Sequence, residues 1–186
     1  MGHSWSGIKK RLEKDLIAPS LVGRVKYFIT KYREAHDDEA RFAIIVDGEE
    51  VLKANIFDFY KSYNPLLSIT KEKLNVPDRE YIGDEILFHK ENREVENNVE
   101  ETLLNQGVFP VYSFTDAVTE YLNQSIEKSL CSDNPLTRIL AIFDRRVGKR
   151  TLNKISLTLG EQPEWVQIFY KLRLDAEHIS YNSSQN

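Results

Sequence analysis

The chain has 186 residues, a formal charge of −4 and a single cysteine. That length supports a domain burying roughly 70% of its unfolded surface, while the lone Cys131 excludes an internal disulfide and a cysteine-based zinc site. The acidic balance excludes a surface built as a whole for nucleic acid, and no apolar run exceeds the five residues of FAIIV or ILAIF, so a membrane span, which needs about 20, is excluded too.

The N-terminal residues have no apolar core followed by a small-residue cleavage site, so no secretory signal is expected. Trp5, Ile8, Leu12 and Leu16 recur at steps of three and four before Pro19, which predicts an amphipathic helix. Arg24 to Arg33 alternates as a strand does, with Val25, Tyr27 and Ile29 on one face and Phe28 opposite. In RFAIIVDGEEVL an Asp47-Gly48 pair separates two apolar runs and predicts a hairpin, because both central residues of the favoured turn need positive φ. From Asn55 to Tyr63 the rhythm turns helical, and Asn64-Pro65 is expected to end it.

Residues 66–90 lack a clear period and contain Pro77 and Gly83, which predicts an irregular connection. Beyond it the chain reads as helical. NREVENNVEETLLNQG should stop at Gly107 in a left-handed cap, and Ser113 and Asp116 suit a capping box for a helix reaching Leu130. Asn134 can cap a helix with Pro135 in its first position, carrying Leu136, Ile139, Leu140, Phe143 and Val147 on one face and ending at Gly148. Pro163 opens a last helix with Trp165, Ile168, Phe169 and Leu172. The expected fold class is therefore α+β: an N-terminal helix, a small antiparallel sheet and a C-terminal layer of about four helices. It should form a single compact domain over 1–186, with 1–65 as the helix-plus-sheet part and 91–180 as the helical part.

The stretch FDRRVGKRTL, Phe143 to Leu152, carries most of the chemistry. A P-loop is rejected, because its first glycine would fall on Phe143, Arg150 stands where Ser or Thr is needed, and a helix precedes the stretch in place of a strand. The simplest reading puts Arg145 and Arg146 in a last helical turn, favoured there by the dipole, with Gly148 as the positive-φ cap. Asp144 is disfavoured at such an end unless a cation holds it, and Arg145, Lys149, Arg150 or Arg173 is the expected holder, with Asp144 and Arg173 taken as the structural ion pair. The competing reading is a surface that also binds a ligand, through Arg145, Arg146, Lys149, Arg150 and Lys154.

Charge is uneven along the chain. Lys90 to Lys128 holds three cations against eight acids, and Arg138 to Lys154 holds six cations against Asp144 alone. Mutual neutralisation across a helix pair is the expected outcome, with an external acidic partner for the basic segment as the alternative.

Taken together, WSGIKKRL from Trp5, GRVKYFITKYR from Gly23, the long run YLNQSIEKSLCSDNPLTRILAIFDRRVGKRTL from Tyr121 and WVQIFYKLRLDAE from Trp165 resemble a family of small bacterial proteins. These open with a Trp-Ser-x-x-Lys-Lys-x-Leu helix and close with this arginine-rich signature. The resemblance implies no substrate, cofactor or catalytic residue.

The remaining chemistry is sparse. His3, His36, His89 and His178 stand in no metal-binding frame, His36 falls in an expected hairpin loop, and His178 lies near a helix end where it can serve the dipole. Cys131 is expected to be buried and inert. There is no nucleophile elbow and no dinucleotide loop. The chain is thus expected to have no catalytic residue, no metal and no cofactor, and to act in the cytoplasm by binding a protein partner, in an immunity-like or regulatory role. Binding of nucleic acid or a phosphate ligand through residues 145–154 is the alternative.

Overall fold

The computed structural model describes residues 4–31, 40–77, 81–82, 85–86 and 90–181. Helix α1 (Trp5–Lys10) is capped by Ser4, whose hydroxyl accepts from the Gly7 amide at 3.4 Å, and it continues into a π-helical turn, Arg11–Asp15. Leu12 enters the core with Trp5, Ile8 and Leu16 packed around it, so the stripe at steps of three and four is realised.

Strands β1 (Val25–Lys31), β2 (Ala40–Val46) and β3 (Glu49–Asn55) make an antiparallel sheet in that order. Asp47 and Gly48 turn between β2 and β3 with φ of 52° and 95°, the left-handed pair expected there. Tyr27 lies opposite Ile44, and Val25, Tyr27, Phe42, Ile44, Leu52 and Ala54 all enter one core. β1 is an edge strand, and the Tyr27 amide donates to a Glu13 carboxylate oxygen at 2.7 Å, so the π-helical turn satisfies part of the open edge. Phe28 stands on the outer face beneath the Arg41 guanidinium, 5.5 Å from the ring centroid. The loop expected around His36 lies outside the described residues, as do His3 and His89.

Helix α2 (Ile56–Leu74) starts at Asn55, whose side-chain oxygen accepts from the Asp58 amide at 2.9 Å. The stop expected at Asn64-Pro65 does not occur, because Pro65 lies inside the helix. A proline there removes one backbone hydrogen bond and crowds the preceding turn. The helix nevertheless continues, because Phe59, Tyr63, Leu66 and Leu67 pack with Val95, Val99 and Leu103 of α3 (Lys90–Asn105) in a second apolar cluster. The irregular connection expected over 66–90 is accordingly corrected for 66–74, and Tyr81–Ile82 and Glu85–Ile86 pair as two-residue strands β4 and β5.

After α3 the chain turns at Gly107, whose φ is 79°, while the Val108 amide reaches back to the Leu103 carbonyl at 2.9 Å. Then follow α4 (Val111–Asn123), α5 (Ile126–Leu130), α6 (Pro135–Ile142), α7 (Lys149–Leu157) and α8 (Glu164–Ala176). The helical layer thus has six α-helices among the described residues where about four were expected. The capping box at Ser113 and Asp116 is not used, since α4 starts earlier, after Pro110, and Ser125 caps a separate α5. The start at Asn134-Pro135 is as expected, with the Asn134 oxygen accepting from the Leu136 amide at 2.9 Å.

Phe114 of α4 joins the layers. Its ring stacks on Phe42 at 3.9 Å and on Tyr27 at 5.8 Å, and Trp5 meets its edge at 6.3 Å. Leu140, Phe143 and Phe169 lie in the same core, with Trp165 and Leu172 packed against it. The fold is α+β, with the small sheet covered by the N-terminal helix and the C-terminal helical layer.

Candidate functional site

Helix α6 ends at Ile142, so Phe143 to Gly148 forms a turn and not a last helical turn. The turn is stitched to the N-terminal segment by the Ala18 amide on the Phe143 carbonyl at 2.8 Å and by the Arg145 amide on the Leu16 carbonyl at 2.7 Å. Asp144 sits at its centre and is 1% exposed. One carboxylate oxygen accepts the Arg146 amide at 2.7 Å and its Nε at 3.0 Å. The other accepts Arg146 Nη2 at 2.7 Å and the Tyr121 hydroxyl. Burial, then the hydrogen bond to Asp144, pushes the Tyr121 phenol well above the ordinary tyrosine range.

The cation that holds Asp144 is therefore Arg146, and the expected pairing of Asp144 with Arg173 is corrected. Arg173 donates instead to Ser20 Oγ at 2.8 Å, to the Glu177 carboxylate and to the Val147 carbonyl at 3.2 Å. Hydrogen bonds from Ser20, and the nearby Arg173 charge, hold Glu177 below its ordinary range. The turn is thus braced on both sides, by Asp144 from within and by Arg173 through the Val147 carbonyl. Arg146 reaches Asp144 because the chain leaves the helix early and folds residue 146 back over residue 144.

The remaining cations of the cluster behave differently. Arg145, Lys149, Arg150 and Lys154 are exposed, and none makes an ion pair among the described residues. Gly148, with φ of −81° and ψ of 166°, is the N-cap of α7 and not a positive-φ helix end, so Lys149 and Arg150 open a helix. The dipole disfavours cations there, and a helix-end role does not account for them. Between the acidic segment Lys90–Lys128 and the basic segment Arg138–Lys154, hydrogen bonds at the start of α5 and then the Arg146 charge hold Glu127 below its ordinary range.

A second surface lies on α2 and α4. Phe57 and Tyr60 are 63% and 47% exposed, and Tyr112 at the start of α4 is 48% exposed. Tyr60 and Tyr63 meet at 6.1 Å between ring centroids. Tyr112 lies close enough to both, and to Glu100 and Asp116, that burial and these neighbours push its phenol up to about 12. The helical rhythm expected from Asn55 to Tyr63 counted Phe57 and Tyr60 among its apolar positions, which points them inward. One signal against that was present: Ile56, Phe57, Phe59, Tyr60 and Tyr63 span too wide an arc for one buried helix face at 100° per residue. Tyr112 likewise falls off the stripe of Val111, Phe114, Ala117, Val118 and Tyr121.

A family model matches residues 4–174 of the chain. The chain belongs to the SF0329 protein family. That match runs from the cap of α1 into α8, so in this SF0329 chain it takes in the Asp144 turn, the α7 cations and the α2–α4 face alike. Neither the curated proteins nor the solved structures contain a match to it.

Other reactive groups are scattered. Cys131 is exposed at the end of α5, where burial was expected, because α5 stops one residue before it and turns it outward. His178 is exposed beyond α8 in a left-handed conformation, with φ of 56°. No three His, Cys, Asp or Glu side chains are grouped to hold a metal ion, and no helix is long and apolar enough to cross a membrane, among the described residues.

Proposed function

We propose that this SF0329 protein is a non-catalytic protein-binding module of the bacterial cytoplasm, immunity-like or regulatory, that acts by occupying a partner's surface with its α2–α4 face. The supporting observation is the exposed aromatic group of Phe57, Tyr60 and Tyr112, large side chains left in water beside a core that buries most of their counterparts. Exposed clustered aromatics mark interaction surfaces more than scattered single apolar residues do, and Tyr is enriched at interface hot spots. The test is affinity capture from the native host with the unaltered chain and with Tyr60→Ala/Tyr112→Ala. One stoichiometric partner, lost in the variant at an unchanged melting temperature, is the expected result, and a partner retained equally by both removes this face from the function.

A second reading rests on the cations that open α7. Their placement against the dipole supports an anionic ligand, nucleic acid or a phosphate compound, at Arg145, Lys149 and Arg150, with Lys154 one turn further on. Binding of a mixed oligonucleotide pool should then weaken with salt, and each of Arg145→Gln, Lys149→Gln and Arg150→Gln should lower the salt slope by about one. A slope untouched by all three removes this reading.

A further inference from the structure

Beside Tyr112 the chain forms a groove of about 330 Å³ between α3, the loop entering α4 and the start of α6. Leu104, Phe109 and Pro110 line it with apolar surface, and Glu100, Glu101 and Asp133 supply three carboxylates. None of the three side chains makes a hydrogen bond or ion pair among the described residues. The guanidinium of Arg138, which bonds to the segment before α6, is committed to the carbonyls of Ser132 and Asp133 at 2.5 and 3.0 Å and to Gln162 at 3.0 Å. Pro110 and Ser113 of the groove flank Tyr112 at the start of α4, so groove and aromatic face adjoin.

We propose that this groove receives an arginine or lysine side chain from a basic segment of the partner protein, while the Phe57–Tyr60–Tyr112 face covers the adjoining stretch of that segment. This rests on the reading of the α2–α4 face as a docking surface and names what docks there. The chemistry is complementary in two parts. The aliphatic stem of a long cationic side chain lies on Leu104, Phe109 and Pro110 while its head meets the carboxylates, and the neighbouring tyrosine rings favour further cations by their negative faces. The segment Lys90 to Lys128, which supplies two of the three carboxylates, holds three cations against eight acids. Such a field speeds encounter with a basic partner and rejects an acidic one.

A second copy of the chain fits less well. A two-fold contact that set the two grooves face to face would put acid against acid, and head-to-tail docking of the α7 cations of one copy into the groove of the next would build rings or filaments rather than a simple pair. A separate basic partner avoids both.

The test uses the full chain and a short peptide alternating arginine and leucine, with a control peptide carrying neutral citrulline in place of arginine, followed by amide chemical shifts. The expected result is saturable shifts at Glu100, Glu101, Phe109 and Ser113, with affinity falling about tenfold for the citrulline peptide and for Glu100→Gln/Glu101→Gln. Equal affinity for both peptides, with shifts still centred on Tyr60 and Tyr112, overturns the cation pocket while leaving the docking face standing. Absence of shifts at either place with either peptide overturns both. Sedimentation of the chain alone as an oligomer that Glu100→Gln/Glu101→Gln dissociates overturns the separate partner in favour of a second copy.

Discussion

The Asp144 turn and the α2–α4 face are built from the same residue types, carboxylates and tyrosines, with opposite outcomes. Asp144 is enclosed and accepts from Tyr121 and from three nitrogens of Arg146. Glu100 is exposed, makes no hydrogen bond or ion pair among the described residues, and has the Glu96 charge beside it. Tyr121 is buried with its hydroxyl donated, whereas Tyr60 and Tyr112 stand in solvent. A polar group whose bonds are all made inside the chain holds structure together and has little left to offer a partner. Groups left unsatisfied at the surface are those free to bind.

The comparison breaks most visibly at Asp144. Asp144→Asn leaves Arg146 without its counter-charge and puts an amide N–H against donors, so stability should fall by about 3 kcal/mol, at the lower end for a broken buried pair because the Arg146 side chain is 48% exposed. Urea unfolding reads this as a lower midpoint at unchanged slope, and a midpoint within error of the parent chain removes Asp144 as the keystone of the turn.

Gly107→Ala comes next. The position has φ of 79°, and an added Cβ would lie 3.1 Å from the Trp165 ring, so a loss of about 1–2 kcal/mol is expected in the same measurement. Tyr121→Phe should cost about 1 kcal/mol, since it deletes one hydrogen bond but leaves Asp144 its Arg146 contacts, and a loss as large as that of Asp144→Asn contradicts the division of labour between the two partners.

The smallest effect is expected at Glu100, where it sharpens the contrast. Burial and the Glu96 charge raise its pKa above the ordinary glutamate value of 4.5. A carboxyl whose folded pKa is raised favours the folded state fully below its unfolded pKa, and that contribution is lost as pH rises through the folded value. Glu100→Gln, which cannot ionise, should therefore gain melting temperature relative to the parent as pH is taken from about 4 to about 7. A difference that is flat across that range, or falls, contradicts the strained state of this carboxylate.

The sequence by itself determined the features whose causes lie within a few residues. The Asp47-Gly48 turn needs only two positions able to take positive φ, and the start of α6 needs only the Asn134 side chain and a proline with no amide to satisfy. Gly107 as a left-handed stop is of the same kind, and the apolar stripes of α1, α4 and α8 follow from the helical period, except that Ile168, expected on the α8 stripe, is half exposed. Only the tertiary structure decided that α2 runs through Pro65, because packing against α3 outweighs a local penalty that can be read from the sequence without its compensation. It likewise made Gly148 the start of α7, gave Asp144 to Arg146 in place of Arg173, and left Phe57, Tyr60 and Tyr112 in water. Burial and charge pairing depend on which distant segment comes to lie alongside, and no local pattern of residues carries that information.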